Sequence, residues 1–396
     1  MSEVAVYMGE PGIVCALGAD RAQVRQALFA ADAPAGVRDN GELMPGHMLA
    51  LGAVDAALPS MEDLPRVLRG RNNALLREAC AQLRPQVDAV LARFGPTRVA
   101  VVVGTSTSGI GESESAMRRY RRQGQWPAQF HYAQQEMGTP AEFLRHEIGA
   151  SGPAWTISTA CSSSAKALMS AARLLRSGVV DAVLAGGADS LCRFTVAGFS
   201  ALDSVSANRC NPFSRNRHGI NIGEGAALFL LTRDVAPVRL AGWGESSDAY
   251  HMSAPDPQGL GAIDAMQQAL RRAAWQPQQV DYINLHGTAT QYNDAMESHA
   301  VDVLFGGQVP ASSSKPLTGH ALGAAGAIEA ALCWLAVADN PQALLPPHWW
   351  DGEPDPQLPP LALVAPGSRA PRPLRRALSN SFAFGGSNAV LALARE

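Results

Sequence analysis

Residues 153–178 read PAWTISTACSSSAKALMSAARLLRSG, in which a short apolar strand, a turn of small residues and a helix follow one another directly. A second strand, VVDAVLAGGADS at 179–190, follows the helix and ends beyond two glycines. Upstream, RVAVVVGTSTSG at 98–109 is a β-branched run that ends in a Gly/Ser/Thr turn. Apolar strands that alternate with helices predict parallel sheets covered by helices on both faces.

The same order of elements recurs later in the chain as an imperfect internal repeat. The segment VDYINLHGTATQYND at 280–294 is a strand with its turn, and PASSSKPLTGHALGAAGAIEAALCWLAVADN at 310–340 continues into a helix. The last strand, RRALSNSFAFGGSNAVLALA at 375–394, again contains a Gly-Gly pair. The sequence therefore predicts an α/β protein built from two pseudo-repeated halves.

The boundary between these halves is predicted near residues 232–244, so that the halves are 1–234 and 235–396. Two polar and Arg-rich segments, about 34–75 and 110–150, are predicted insertions over the first core. Ligand chemistry in such folds gathers at the carboxyl ends of the strands, where the small-residue turns lie.

Composition excludes several classes of protein. An apolar fraction of 47% and a charged fraction of 17% fit a globular protein with a large core. The net charge of −3 gives no general reason to bind nucleic acid, so an acidic partner would need a local arginine patch. The chain has no apolar run of about 18 residues that would predict a membrane span. Its first residues, MSEVAVYMGEPGIVCALG, predict a strand rather than a signal peptide.

The six cysteines contain no C-x-x-C pair, which favours a reduced cytoplasm over a disulfide scaffold or a zinc site. Cys161 stands out because it follows the strand-like WTIST and precedes the helix. A thiol at a helix N-terminus faces unpaired backbone N–H groups, which favour the thiolate. Cys161 is therefore the candidate nucleophile, and the remaining five are predicted to be structural: Cys15, Cys80, Cys192, Cys210 and Cys333.

Two histidines end matching segments of the second half. His286 ends the strand in YINLHGTAT, and His320 stands at the turn that opens the helix ALGAAGAIEAAL. Neutral imidazoles can donate N–H bonds to a developing enolate or oxyanion. Together with a candidate thiol in the first half, they predict one convergent site. His251 stays undecided, and the other six histidines have no comparable context.

Lysine is rare in this chain. Only two of the 32 basic residues are lysines, namely Lys166 and Lys315. A compact ammonium and a planar guanidinium are not interchangeable, so a retained lysine can mark a specific need. Lys315 lies five residues before His320 and is predicted to orient that histidine. A buried Lys315 would need a counter-charge, for which Glu329 and Glu297 are the candidates.

Together and in this order, the motifs resemble those of the decarboxylating β-ketoacyl-acyl-carrier-protein synthases of the thiolase fold. The resemblance runs from about residue 97 to the end, more weakly through the N-terminal strand, and is carried by STACSSSAKAL, NPFSRNRHGINIGEGAALFLL, SSDAYHMSAPDPQG, NLHGTAT, SSKPLTGHALGAAGAIEA and SNSFAFGGSN. It implies a five-layered α-β-α-β-α fold of two pseudo-repeated halves.

The resemblance also implies a role for each residue of the candidate site. Cys161 matches the acyl-accepting nucleophile, and His286 and His320 match the two catalytic histidines. Lys315 matches the family's lysine, and Glu329 matches its ion-pair partner. These residues imply a decarboxylative Claisen condensation between an acyl thioester and malonyl-acyl carrier protein.

Three further residues match contacts to the substrate's pantetheine arm. Thr288 and Thr290 in HGTAT match pantetheine-binding threonines, and Ser253 stands in the loop after His251 where a threonine is common. The resemblance implies no resident cofactor and no metal, because the 4′-phosphopantetheine arm belongs to the substrate acyl carrier protein.

The segment SFAFGG matches the family's gate. Phe384 matches the gating phenylalanine, whose backbone N–H joins that of Cys161 in an oxyanion hole, and Phe382 precedes it by two residues. Ala383 stands between them where glycine is usual, so the gate is expected to move less freely.

The resemblance implies partners as well as chemistry. The family forms dimers, and SSDAYHMSAPDPQG with SFAFGGSN is similar to ketosynthases of bacterial aryl-polyene pathways. That subgroup implies a polyene substrate and either a homodimer or a heterodimer with a ketosynthase-like chain-length partner. Carrier proteins are acidic, so the arginines of MRRYRRQGQW at 117–126 and SRNRHG at 214–219 are candidates for docking.

Several other functions stay open at this point. A degradative thiolase would need a second catalytic cysteine near the C-terminus, and no cysteine follows Cys333. A Cys-His-Asn starter synthase is disfavoured because His320 fills the second imidazole's place. A non-catalytic chain-length subunit or a carrier-binding scaffold should lack a reactive thiol, which Cys161 argues against.

Overall fold

A computed structural model describes residues 4–396. Within those residues the strands are β1 Tyr7–Met8, β2 Gly12–Cys15, β3 Arg38–Asn40, β4 Leu49–Leu51, β5 Val99–Gly104, β6 Ala154–Ile157, β7 Ala182–Asp189, β8 Gly225–Thr232, β9 Val238–Ser247, β10 Tyr282–Asn284, β11 Ala311–Ser312, β12 Arg376–Ala383 and β13 Ser387–Arg395.

The α-helices of the same residues are α1 Arg21–Leu28, α2 Arg71–Ala81, α3 Arg84–Phe94, α4 Ile110–Gln123, α5 Thr139–Ile148, α6 Ser163–Arg176, α7 Arg193–Ala201, α8 Leu260–Ala273, α9 Gln291–Phe305, α10 Lys315–Thr318 and α11 Ala325–Ala338. A short 3₁₀ helix, Leu322–Ala324, leads into α11. No helix in this part of the chain is long and apolar enough to cross a bilayer.

The predicted internal repeat is visible in the order of the strands. One half has the order β6-β5-β7-β8 and the other the order β11-β10-β12-β13, so equivalent strands occupy equivalent places. The short strand β1 pairs with both β8 and β9 and joins the two halves into a single sheet. The strand predicted at the N-terminus is confirmed by β1 and β2. Residues 1–3 of that segment lie outside the described residues.

The prediction of purely parallel sheets is wrong in part. Strands β5, β6 and β7 are parallel to one another, as are β10, β11 and β12. Strands β8 and β13 instead run antiparallel to β7 and β12. Three residues, 384–386, connect β12 to β13, and so tight a connection can only join antiparallel strands.

Three apolar clusters define the layers. One cluster packs α2, α3 and α5 on the outer face of the first half's strands, and another packs α8 and α9 on the outer face of the second half's strands. The largest cluster lies between the two sets of strands and contains α6 and α11. The chain therefore has the expected five layers, with α6 and α11 in the middle.

The two central helices approach each other closely because their facing residues are small. A Cβ added to Gly326 of α11 would lie 2.9 Å from the Cβ of Ala165 in α6. The backbone N–H of Ala327 donates to the Ser164 hydroxyl across the same contact, at 2.9 Å. The residues that precede these helices are consequently brought together at the centre of the fold.

We predict that Gly244→Ala destabilises the protein by about 1–3 kcal/mol through overpacking. Gly244 lies in β9, where an added Cβ would stand 1.8 Å from the carbonyl oxygen of Ala265 in α8. The midpoint of urea unfolding measures the loss. Gly138→Ala is the matched control because nothing lies within 4 Å of its added Cβ. Equal midpoints for the two variants would contradict the packing described for α8.

Candidate active site

Cys161 occupies the tight turn between β6 and α6. Ala160 has a φ of +52°, which turns the chain sharply just before the thiol. The Ser163 hydroxyl accepts the N–H of Thr159 at 2.9 Å and donates to the carbonyl of Ala160 at 2.5 Å. The serine-rich segment after the cysteine therefore fixes the turn that presents the sulfur at the head of α6.

Cys161 is buried, with 7% of the residue exposed, and burial dominates the chemistry of its thiol. Burial raises the pKa of the Cys161 thiol to about 11, whereas the positive charge of Lys315 lowers it. The backbone N–H groups of Phe384 and of Cys161 itself also lower this pKa. The sequence suggested that the helix terminus favours a resting thiolate, but the structure does not support a thiolate at rest. The resting sulfur keeps its proton, because desolvation outweighs the nearby positive potential.

A ring nitrogen of His320 is placed to accept the proton of the Cys161 thiol. Its Nε2 lies 3.0 Å from the Cys161 Sγ. Its backbone is fixed on both sides, since its N–H donates to the carbonyl of Asn221 at 2.6 Å and its carbonyl accepts the N–H of Gly223 at 2.9 Å. Gly319, with a φ of +67°, approaches Gly223 so closely that a side chain there would clash.

His286 completes the group from the carboxyl end of β10. Its ring meets the His320 ring edge-on, with centroids 5.3 Å apart. One ligand-type atom from each of Cys161, His286 and His320 lies within 4.8 Å of the other two. The structure therefore places the thiol and both imidazoles in one cavity, as the sequence predicted. A Cys-His-His set at this spacing could also bind a soft divalent metal.

Both imidazoles are neutral in this cavity. Burial lowers the pKa of His286 and of His320 well below the usual histidine range, and the charge of Lys315 lowers both further. A neutral imidazole can accept a proton at one ring nitrogen and donate from the other. The pair can therefore relay a proton and also donate N–H bonds to a developing negative charge.

Lys315 is buried and paired. Its Nζ donates to the Glu329 Oε1 at 2.5 Å, and both side chains are at most 2% exposed. Burial raises the pKa of Glu329, and Lys315 opposes that rise. Lys315 makes no hydrogen bond to His320 among the described residues, so its predicted role of orienting His320 stays a prediction. The charge of Lys315 does lower the pKa values of the thiol and of the imidazole.

The other candidate counter-charge, Glu297, has a different function. Its carboxylate accepts the backbone N–H groups of His286 at 2.8 Å and Gly287 at 2.7 Å, and the Asn380 amide at 3.1 Å. Burial raises the pKa of Glu297 to about 7. Glu297 therefore anchors the turn that carries His286 rather than neutralising Lys315.

Two cavities meet at the sulfur. The channel cavity contains Cys161, His286 and His320 and is also lined by Ser253, Thr288 and Thr290. The two threonine hydroxyls lie 2.9 Å apart. All three residues predicted to contact a pantetheine arm therefore lie along one passage to the thiol.

The apolar cavity, of about 410 Å³, lies on the other side and is lined by Ser106, Phe194, Thr195, Leu202, Leu322 and Cys161 among others. Phe384 borders both cavities, as does Phe199, and their ring centroids are 5.8 Å apart. Phe382 is buried, and its ring packs edge-on against His286 at 6.2 Å. The two aromatic rings at 199 and 384 thus form the wall between the channel cavity and the apolar cavity.

Sequence reasoning missed several residues of this region. Phe199 gave no signal because it is one apolar residue in a helical segment. His348 is one of the six histidines without a comparable sequence context, yet it is buried. Its Nδ1 accepts the N–H of Ser313 at 3.1 Å, and its Nε2 lies 3.0 Å from the carbonyl of Pro212. Asn380 was also missed, although Glu297, which it contacts, is a candidate counter-charge from the sequence.

The remaining candidates lie outside the site. The other five cysteines are buried and free, in agreement with a structural role. Lys166 lies in the first turns of α6, 4.0 Å from Glu245, and lines neither cavity. His251 is exposed in the loop that carries Ser253.

Comparison with known families gives two adjacent matches. Residues 76–236 match the family described as beta-ketoacyl synthase, N-terminal domain. Residues 238–348 match the family described as beta-ketoacyl synthase, C-terminal domain.

Individual relatives agree with these matches. The chain is 38% identical to 3-oxoacyl-[acyl-carrier-protein] synthase 2 of Rhizobium meliloti (strain 1021) over 64% of this chain and 62% of that relative's length. It is 32% identical to Nodulation protein E of Rhizobium sp. (strain N33), over 96% of both chains. Among solved structures, it is similar to a chain of the complex between the ketosynthase ApeO and its chain length factor ApeC from Xenorhabdus doucetiae. That match has 45% identity and a TM-score of 0.93, and it covers 99% of this chain and 98% of the other.

We predict that alkylation of Cys161 by iodoacetamide accelerates about tenfold per pH unit from about pH 7 to about pH 10, because only the thiolate reacts. A pKa of about 11 keeps the thiolate fraction rising over that whole interval. Mass spectrometry of the Cys161 peptide measures the rate, and Cys161→Ser supplies the background from other residues. A rate that levels off below about pH 8 would show a resting thiolate and contradict the dominance of burial.

Proposed function

The chain belongs to the beta-ketoacyl synthase family, and on that premise we propose that it condenses an acyl thioester with malonyl-acyl carrier protein and releases carbon dioxide. The product is a β-ketoacyl-carrier protein two carbons longer than the acyl group. One observation carries the proposal: a thiol from the first half and two neutral imidazoles from the second half share one cavity.

The first step is transfer of the acyl group to Cys161. The thiol gives its proton to the Nε2 of His320, which lies 3.0 Å away, and the sulfur attacks the carrier-bound thioester. The backbone N–H groups of Cys161 and Phe384 that face the sulfur are placed to bind the oxyanion of the tetrahedral intermediate. The carrier's pantetheine sulfur leaves with the proton, and the acyl chain stays on Cys161.

The second step builds the new carbon–carbon bond. Malonyl-carrier protein places its thioester in the channel cavity, where His286 and His320 donate N–H bonds to the thioester oxygen as the carboxylate leaves as carbon dioxide. The electrons of the broken bond form an enolate, whose carbon attacks the acyl carbonyl on Cys161. The acyl carbonyl re-forms as the Cys161 thiolate leaves, and the thiolate takes up one proton from solvent, the proton that the overall reaction consumes.

Each half-reaction uses a separate cavity. The apolar cavity, whose lining is mostly hydrocarbon, suits the acyl chain of the first substrate. The channel cavity, with Thr288, Thr290 and Ser253, suits a polar amide-bearing arm. The reaction needs no resident cofactor, because the substrate brings the 4′-phosphopantetheine arm on its carrier.

The alternative of a non-catalytic chain-length subunit is less well supported. Such a subunit needs neither the thiol nor the two imidazoles, yet all three converge here. A degradative thiolase would need a second reactive thiol in the site. The last cysteine of the chain, Cys333, is fully buried and contributes to neither cavity.

We further propose the pathway and the partner. The similar solved complex is titled as a ketosynthase with its chain length factor, which supports a heterodimer of that kind for this chain, with a homodimer as the alternative. The same likeness, with SFAFGGSN, favours an aryl-polyene substrate over an ordinary fatty acyl chain. Free cysteines at every cysteine position favour a reduced, cytoplasmic location.

One of the two predicted arginine patches is better suited to an acidic carrier. On α4, Arg118, Arg119 and Arg122 gather around one surface hollow with Arg193 of α7, and none of them forms an ion pair with a described acid. The arginines of SRNRHG are neutralised, since Arg215 pairs with Glu353 and Arg217 pairs with Asp355. We name the first set the α4 patch and propose that it meets the carrier protein.

Cys161→Ala should abolish condensation while it retains decarboxylation of malonyl-carrier protein, because the imidazoles remain. His320→Ala should lower decarboxylation by about 10²-fold or more, and lower acyl transfer less. Release of carbon dioxide and formation of β-ketoacyl product are measured separately for each variant. His299→Ala, at an exposed histidine of α9, is the control outside the cavity. Condensation by Cys161→Ala at the normal rate would refute the assignment of Cys161 as the nucleophile. Unchanged rates of decarboxylation and condensation in His320→Ala would refute the catalytic role of that imidazole.

Charge reversal in the α4 patch should separate carrier recognition from chemistry. Arg118→Glu with Arg122→Glu should lower kcat/KM for carrier-bound substrates about tenfold at low salt, through loss of electrostatic complementarity. The rate with a small thioester of N-acetylcysteamine should stay unchanged. Arg145→Glu with Arg271→Glu makes the same change of charge on α5 and α8. Equal losses from both pairs, or equal losses with both kinds of substrate, would refute docking at the α4 patch.

A further inference from the structure

A buried carboxylate ties the two halves together beside the apolar cavity. Asp189 is the last residue of β7 and is fully buried. Its Oδ1 accepts the Thr105 hydroxyl at 2.6 Å, the Thr107 hydroxyl at 2.7 Å and the backbone N–H of Thr107 at 2.8 Å. No ion pair joins it to a described lysine, arginine or histidine, so neutral donors alone stabilise its charge.

The second oxygen reaches into the other half of the chain. Oδ2 accepts the Ser106 hydroxyl at 2.6 Å and the backbone N–H of Gly323 at 2.5 Å. Gly323 belongs to the 3₁₀ helix that leads into α11, three residues after His320. Asp189 therefore connects the turn after β5 to the turn before α11.

These two turns form part of the wall of the apolar cavity. Ser106 and Leu322 both line it together with Cys161. Leu322 has a φ of +47°, a conformation that costs energy for a residue with a side chain and persists only when its surroundings impose it. The backbone N–H of the next residue, Gly323, donates to Asp189 at 2.5 Å and more weakly to the Ser106 hydroxyl at 3.3 Å, and these bonds hold the turn.

The contact leaves no spare room. A Cβ added to Gly323 would lie 2.8 Å from the Oδ2 of Asp189 and 2.7 Å from the backbone nitrogen of Ser106. A change at either end of the contact would consequently displace the wall formed by Ser106 and Leu322.

We propose that Asp189 is a positioning residue that sets the wall of the apolar cavity against which long acyl chains lie. This inference rests on the proposed acyl transfer to Cys161. A carboxylate is required because each of its oxygens accepts a backbone N–H, so an asparagine would bring an N–H toward an N–H on one side or the other. On this proposal, an acyl group depends on the wall only when it is long enough to fill the cavity.

The test compares acyl groups of two lengths on the same carrier. Asp189→Asn should lower kcat/KM for octanoyl transfer to Cys161 about tenfold and leave acetyl transfer within about twofold, since a small misfit in an apolar pocket discriminates on this scale. Gly323→Ala should give the same dependence on length without any change of charge. Asp181→Asn, just before the other end of β7, is the matched control and should change neither rate.

Equal losses for acetyl and octanoyl groups in both variants, or no loss, would overturn the positioning role. Should Asp189→Asn fail to fold, Gly323→Ala alone decides by the same comparison. A wild-type protein that transfers neither acyl group to Cys161 would instead refute the proposed function, so the two failures are distinguishable.

Discussion

The close approach of α6 and α11 is the constraint on which the site depends. These helices lie between the two sets of strands, and their contact at Ala165 and Gly326 leaves no space for a larger side chain. Each helix begins beside a reactive residue, because Cys161 precedes α6 and His320 precedes the turn into α11. A thiol and an imidazole that are 159 positions apart in the sequence therefore meet at 3.0 Å. The small residues of STACSSSAKAL and LGAAGAIEA are needed for this packing as much as for catalysis.

Burial then determines the electrostatics of the cavity. Desolvation keeps the thiol protonated and both imidazoles neutral, and the positive charge of the buried Lys315 is compensated by Glu329. Charge is thus absent from the reacting groups at rest and develops only during the reaction. Groups that are already oriented stabilise such charge most strongly, since they need no reorganisation and the site excludes water. The cost is a set of buried polar groups that must be held by specific partners, of which the Glu297 contacts to His286 and Gly287 are an example.

Much of this could be predicted from the sequence, for identifiable reasons. The repeat of strand, small-residue turn and helix is local, and so is the placement of Cys161, His286 and His320 at strand and helix ends. The order of motifs supplied the Lys315 and Glu329 pair. The antiparallel direction of β8 and β13 could not be derived from apolar runs, which look alike in either direction. The protonation state of the resting thiol could not be predicted from the sequence either, because it depends on how completely the fold excludes water from the sulfur. Contacts such as that of Asp189 with Gly323 join distant segments and leave no periodic trace.

Mass spectrometry of the protein after reaction with acyl-loaded carrier protein tests the central claim most directly. The account predicts one added acyl group, located on the peptide that contains Cys161, and its release when malonyl-carrier protein is added. An acyl group found on another cysteine would contradict the account. So would a protein that stays unmodified with every acyl carrier, although the same thiol reacts with a small alkylating reagent.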